Sequence, residues 1–263
     1  MSLSLKWLSL GGDVFDEDGG RHSPHHTKQY GSEDVLAPLV ADACLGTVSA
    51  GDSSRGRVHV DSVRVVKILG GSVDRSHVVR GYVAQRGVET SRTARTDARI
   101  AVYGCGFEAS ATESRGTVLM KNAEDLRSYN RSEETKMDEI VKSIVDAGVN
   151  VVVCGGSVSE MAVHFLQRYD VLCLKIGSKW ELRRLCAAVN ATALVRLGPP
   201  LPDLIGSCDD VRVMEVGGRK ITVFRNDAAS CRLSTLVLRA STSGLLQRSH
   251  ERITLRSRIP ILE

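Results

Sequence analysis

The sequence predicts an α/β fold of the mixed (α+β) kind, and three observations carry that prediction. Between Val149 and Val195, short apolar runs alternate with stretches of helical spacing, the rhythm of parallel strands joined by helices on a face. From Arg212 to Phe224, two strand-like runs flank Gly217-Gly218, a two-residue turn suited to an antiparallel hairpin. Finally, 42% of the 263 residues are hydrophobic but only 4% are aromatic. The core must therefore be built from Val, Leu, Ile and Ala, which suits packed layers of helix and sheet.

Taken in order, residues 1–26 are rich in Gly, Asp and His and are expected to hold no fixed structure. A helix should come next. Ser32 is its expected N-cap, Pro38 lies early enough to be tolerated, and Val35, Leu36, Leu39, Val40 and Ala43 share a face. After a polar loop over 46–57, Val58 to Leu69 reads as strand, closed by Gly70-Gly71-Ser72, a hinge between two bodies. Val78–Val83 and Ala98–Val102 are the next strands, separated by a polar excursion over 87–97. Asn122 and Asp125 suggest a capping box for a helix ending near Asp146. Its apolar stripe sharpens only at Met137, Ile140, Val141 and Ile144, so its polar first half should project from the body.

Next come a buried strand at Val149–Val153, a helix over Ser157–Tyr169 and a strand at Val171–Ile176. A helix capped by Ser178 carries Leu182, Leu185 and Val189 inward, and Ala191–Val195 is a short strand. Gly198-Pro199-Pro200-Leu201-Pro202 reads as a rigid turn, and Ser234–Leu238 as the last strand.

Charge and cysteine content narrow the function classes. Lys plus Arg number 35 against 31 Asp plus Glu, a net charge of +4, and the two signs are interleaved rather than gathered on a basic arm. That argues against nucleic acid as a partner. The seven cysteines are odd in number and form no C-x-x-C, which suits reduced, buried thiols in a cytoplasmic protein. His22, His25 and His26 lack further ligands at metal spacing. No apolar run reaches the ~18 residues a membrane span needs, and the start lacks the features of a secretory signal.

Catalytic motifs are degenerate. Cys154-Gly155-Gly156-Ser157 comes after a strand but lacks the third glycine and the ribose-binding acid of a dinucleotide site, so a tight structural turn is the simpler reading. A small nucleotide-binding enzyme using that turn remains the alternative. Cys105 has no sequence neighbour to activate it, and His164 sits between core positions of its helix as a half-exposed structural histidine. The helix from Lys179 turns Lys179, Arg183, Cys186, Ala187 and Asn190 outward, a mixed apolar and basic face. Such a face is either a solvated surface or a groove for peptides of low specificity.

Several segments together carry a resemblance. They include Lys28-Gln29-Tyr30-Gly31, Asp61 to Ser72, Asp97 to Tyr103, Gly116 to Leu119, Gly148 to Val153, Ser178-Lys179-Trp180, Leu182 to Cys186, Ala191 to Leu194 and Val237-Leu238-Arg239. From about Lys28 to about Leu246 the chain resembles subunits of the eukaryotic cytosolic group II chaperonin, the T-complex protein 1 family. Lys28–Gly31 and the Ser-Lys-Trp helix point to one subunit type within it.

The resemblance implies a chaperonin apical domain of the swivelling β/β/α kind over 71–226, which binds substrate, with a helical protrusion over about 113–144. Residues 27–70 and 227–248 would be two segments of an intermediate domain, and 1–26 and 249–263 non-family ends. It further implies that Lys179, Trp180, Arg183, Arg184, Ala187 and Asn190 face unfolded client polypeptides. Sister subunits of a hetero-oligomeric double ring would be the other partners, with no membrane or nucleic acid involved.

Full-length relatives use ATP and Mg, whereas no cofactor and no ATPase activity are expected of this chain. The family's phosphate-binding Gly-Asp-Gly-Thr has no counterpart. Arg239-Ala240-Ser241-Thr242 stands where the family has Arg-Gly-x-Thr, and no aspartate occurs after Asp227. The ends read as those of a truncated or mispredicted gene or a designed fragment, and a non-functional product is a further alternative.

Overall fold

The structure is a computed structural model and describes residues 32–47, 60–108, 123–228, 231 and 233–257. The expectations for residues 1–26, for Val58, for Lys28–Gly31 and for the Asn122 cap lie outside the described residues.

Helix α1 (Glu33–Thr47) contains Pro38 in its second turn and buries Leu36, Val40 and Ala43 as its spacing predicts. Strand β1 (Val63–Leu69) begins later than expected, because Val60–Ser62 forms a 3-10 turn around the short polar pair Asp61-Ser62. After Gly70 and Gly71, both at positive φ, and a 3-10 turn at Val73–Arg75 come β2 (His77–Ala84) and β3 (Ala94–Tyr103). The long helix α2 is Ala123–Asp146. The expected alternation appears as β4 (Val151–Cys154), α3 (Glu160–Arg168), β5 (Leu172–Lys175), α4 (Lys179–Val189) and β6 (Ala193–Leu194). The chain continues with β7 (Gly206–Val216), β8 (Arg219–Arg225), β9 (Ser234–Ala240) and α5 (Ser243–Ser257).

Among the described residues the strands form one sheet in the order β1-β9-β2-β8-β7-β3-β4-β5, with β6 beside β3. Strands β3, β4 and β5 run parallel, and β6 is parallel to β3. The β7–β8 hairpin is antiparallel, as its two-glycine turn predicts. The chain steps outward from β4 through α3 to β5, then back through α4 to the far side of β3. Right-handed crossovers in opposite directions place their helices on opposite faces. Accordingly α4 packs with Val151, Val153, Leu172 and Leu174, while α2 and α3 pack with Val152, Cys154 and Cys173. The sequence predicts helices on one face, and the return crossover is what changes this.

Two local expectations need correction. α3 starts at Glu160 with Ser159 as its cap, accepting from the Ala162 amide at 3.2 Å, because Val158 is held in a bridge to Phe107. Ser178 stands at the N-cap of α4, but its side chain makes no capping hydrogen bond.

At the other end of the sheet, α1 and α5 cover one face of β9 with Leu36, Val40, Leu246 and Ile253. The opposite face curls. Val66 and Ile68 of β1 meet Val83 of β2 and Ile221 of β8 across a small apolar interior.

Candidate functional site

Four parallel strands end on one edge of the sheet, and the segments leaving them build a rim there. Gly104–Gly106 leaves β3, Gly155-Gly156 leaves β4, the first turn of α4 comes after β5, and residues 195–201 come after β6. In sheets of this kind, ligands bind beyond the carboxyl ends of the strands. α2 leads into the opposite edge at its C-terminus, and its buried Met137, Val141 and Ile144 all lie in its second half. Twenty-four residues at ~1.5 Å each give ~36 Å of helix.

α4 supplies one wall. Leu182, Leu185, Ala188 and Val189 are buried in the core beneath it. At ~100° per residue, Lys179, Asn190, Arg183, Ala187, Trp180 and Arg184 fall in that order within an arc of about 140° on the other side. Five of the six are exposed, and Arg184 is half-buried. Trp180 is 70% exposed, an unusual state for a tryptophan. Asn190 has a second role: at φ 56 it ends the helix in the left-handed region, its amide donating to the Cys186 carbonyl.

Cys186, expected outward, instead packs half-buried against the core, and burial raises its thiol pKa. Beneath the helix, burial above all, and then Glu181, hold the Tyr82 phenol above its ordinary value. The charges of Arg64 and Arg184 oppose that shift.

The segment after β6 adds apolar surface that sequence reasoning missed. Val195 is 82% exposed and Leu201 66%. The backbone around them is braced: Gly104 N donates to Leu194 O at 2.7 Å, and the Tyr103 hydroxyl to Gly198 O at 2.8 Å. Leu201 could have been suspected, because a leucine between Pro200 and Pro202 cannot turn freely inward. Nothing in the sequence marks Val195.

The glycine turn weighed as a phosphate cradle is closed. A Cβ on Gly155 would lie 3.0 Å from Gly104 O and 3.2 Å from the Leu182 side chain, and one on Gly156 2.6 Å from Gly106 N. These glycines permit backbone to pack on backbone, and the space a phosphate would need is filled. Burial also raises the Cys105 pKa, consistent with an inert thiol. All seven cysteines are free. His164 is exposed and meets Phe165 edge-on at 5.6 Å. No group of three metal-ligating side chains occurs among the described residues. No helix among them is long and apolar enough to cross a membrane.

A rim of exposed apolar and cationic groups on a braced backbone is suited to binding. Comparison with known proteins gives the class. A model of the TCP-1/cpn60 chaperonin family matches residues 22–254. The chain belongs to that chaperonin family. Its similar relatives include the theta subunit of T-complex protein 1. That of Bos taurus is 44% identical over 234 residues, covering 89% of this chain and 42% of the relative. That of Homo sapiens is 46% identical over 220 residues, 84% of this chain and 39% of the relative. The Arabidopsis thaliana protein of the same name is 40% identical over 220 residues, 84% of this chain and 40% of the relative. The chain thus spans about two fifths of the length of the curated relatives it matches.

Proposed function

We propose that this chain is the polypeptide-binding part of a theta-type chaperonin subunit and holds non-native proteins for assisted folding. The observation that carries the reading is the rim, where Trp180, Val195 and Leu201 stand exposed beside the cationic face of α4. Exposed apolar side chains on a braced backbone offer burial to any unfolded chain without demanding one sequence. Lys179 and Arg183 add attraction for acidic segments, and Ala187 leaves room for a partner's side chain. Residues 71–226 would form the substrate-binding body with the first half of α2 as its protrusion, and 27–70 and 227–248 its intermediate-domain segments. Sister subunits in a cytosolic hetero-oligomeric ring would be its other partners. ATP and Mg chemistry would belong to other parts of such a subunit, and the filled Gly155-Gly156 turn supports this over a nucleotide enzyme.

The test is binding of a fluorescently labelled, chemically unfolded polypeptide, followed by anisotropy. Replacing Trp180, Val195 and Leu201 together by Ser should weaken binding at least about tenfold, a change on the order of 1.4 kcal/mol. The circular dichroism spectrum should stay unchanged. Arg183→Glu should have a smaller effect that fades at high salt. Undiminished binding by the triple variant would refute the rim as the site.

A further inference from the structure

The glycine pair ending β1, a hinge by its sequence, is held from two sides. Gly70 and Gly71 have φ values of 100° and 95°. From the β9 side, Gly70 N donates to Ala240 O at 2.8 Å and Arg239 Nε donates to Gly70 O at 2.6 Å. From the other side comes the tip of the β7–β8 hairpin, more than a hundred residues along the chain. Gly217 sits so close that a Cβ there would run into the Leu69 carbonyl oxygen, and a Cβ on Gly70 would lie 3.7 Å from the Gly217 Cα. No ladder joins β8 or β7 to β1. The curled sheet nevertheless brings Val66 and Ile68 against Ile221 and Val216, so the hairpin tip closes the end of an otherwise open seam.

We propose that the β7–β8 hairpin tip is a latch on the hinge, Gly217 seated on the Leu69 carbonyl so that the Gly70–Ser72 turn stays locked until the tip withdraws. Two features make it a releasable device. The contact is backbone on backbone without a ladder hydrogen bond, so opening breaks no sheet pairing. The tip is a two-residue turn with both φ values positive, 62° and 74°, and can tilt with its hairpin as a unit. The latch itself does not depend on what α4 binds.

The hairpin provides its own control. Gly217 and Gly218 share the left-handed conformation, which Asn tolerates. A side chain at Gly218 meets nothing within 4 Å, whereas one at Gly217 meets the Leu69 carbonyl. Hydrogen exchange followed by mass spectrometry on the full chain compares Gly217→Asn with Gly218→Asn. Gly217→Asn should speed exchange across residues 70–76 about tenfold or more, with β4 and β5 unchanged. Gly218→Asn should match the parent protein. Equal exchange across 70–76 in both variants would overturn the latch.

If Gly217→Asn also speeds exchange in β4 and β5, the fold itself has loosened, and Arg239→Met decides. It removes the brace on the β9 side without touching the hairpin. Latch and hinge open as one unit, so exchange over 216–220 should rise together with that over 70–76. A rise at 70–76 alone would refute the proposal.

Discussion

The two outer strands of the sheet, β5 and β1, face the same problem and solve it differently. Each presents unpaired backbone groups that must be covered. Along β5 the cover is a segment of neighbouring chain pinned in place. Glu89 N donates to Cys173 O at 2.9 Å, and Cys173 N donates to the Thr90 hydroxyl at 3.1 Å. Arg92 and Arg95 grip the Asp170 carboxylate just before the strand begins, the closest pair of atoms at 2.5 Å. Along β1 the cover is lighter: the Gln85 side chain donates to Lys67 O at 3.0 Å, and Gly217 presses on Leu69 O. One edge is sealed by buried hydrogen bonds and charge, the other by an exposed amide and a steric contact. The sealed edge borders the rigid base of the rim. The light one borders the Gly70-Gly71 turn, the proposed hinge.

The largest test of this contrast is at Thr90, which is 6% exposed. Thr90→Val preserves shape but removes the acceptor for a buried amide. An unsatisfied buried donor costs about 1–3 kcal/mol, so urea denaturation should show a loss in that range. A loss under ~0.5 kcal/mol would mean that solvent reaches Cys173 N and that this edge is no better sealed than β1.

The legibility of each edge in the sequence depends on how it is buried. Val151–Val153 and Leu172–Leu174 are covered on both faces, so they are uninterrupted apolar runs that sequence alone identifies as strands. The stripe Met137, Val141, Ile144 and the outward arc of α4 are legible because helical spacing is a local property. The first four residues of β3 and the first six of β7 carry no strand pattern, although Ala94–Thr96 pairs with Asp210–Arg212. Ala94–Asp97 is largely exposed and holds Arg, Thr and Asp, and Gly206–Val211 mixes buried with exposed positions and holds Ser and two Asp. Their strand character comes from pairing with each other, which outweighs propensity. The Asn150 side chain braces β3 itself where Asp97 adopts φ 49°: it accepts from Arg99 N at 2.8 Å and donates to Asp97 O. Exposure at Val195 and the seating of Gly217 on Leu69 depend on how the sheet curls, and no local pattern encodes that.

A smaller effect separates the charged part of the β5 cover from its buried part. Arg92, by hydrogen bond and charge, and then Arg95, hold the Asp170 carboxyl below its ordinary value. A depressed carboxyl stabilises the fold above its unfolded value, about 3.9, and loses that contribution as pH falls through the lower folded value. Asp170→Asn keeps a residue that accepts the local φ of 59° and removes only the charge. The parent protein should melt above the variant at pH 7, and the gap should close as pH drops below about 4. The gap should be modest, because solvent screens a carboxylate that is 47% exposed. Calorimetry showing a constant gap down to about pH 3 would mean the charge contributes nothing to the seal.

The smallest effect belongs to β1. Gln85 and Lys67 are both exposed, so water can replace the Gln85 amide on the Lys67 carbonyl at little cost. Gln85→Ala should therefore shift stability by no more than about 0.5 kcal/mol in the same urea titration that reports on Thr90→Val. If this edge opens readily, the substitution should still be visible locally, as faster hydrogen exchange over 66–70 while β5 is unaffected. A loss of ~1 kcal/mol or more would show that β1 depends on its side-chain cover as strongly as β5 does. The asymmetry between the two edges would then disappear.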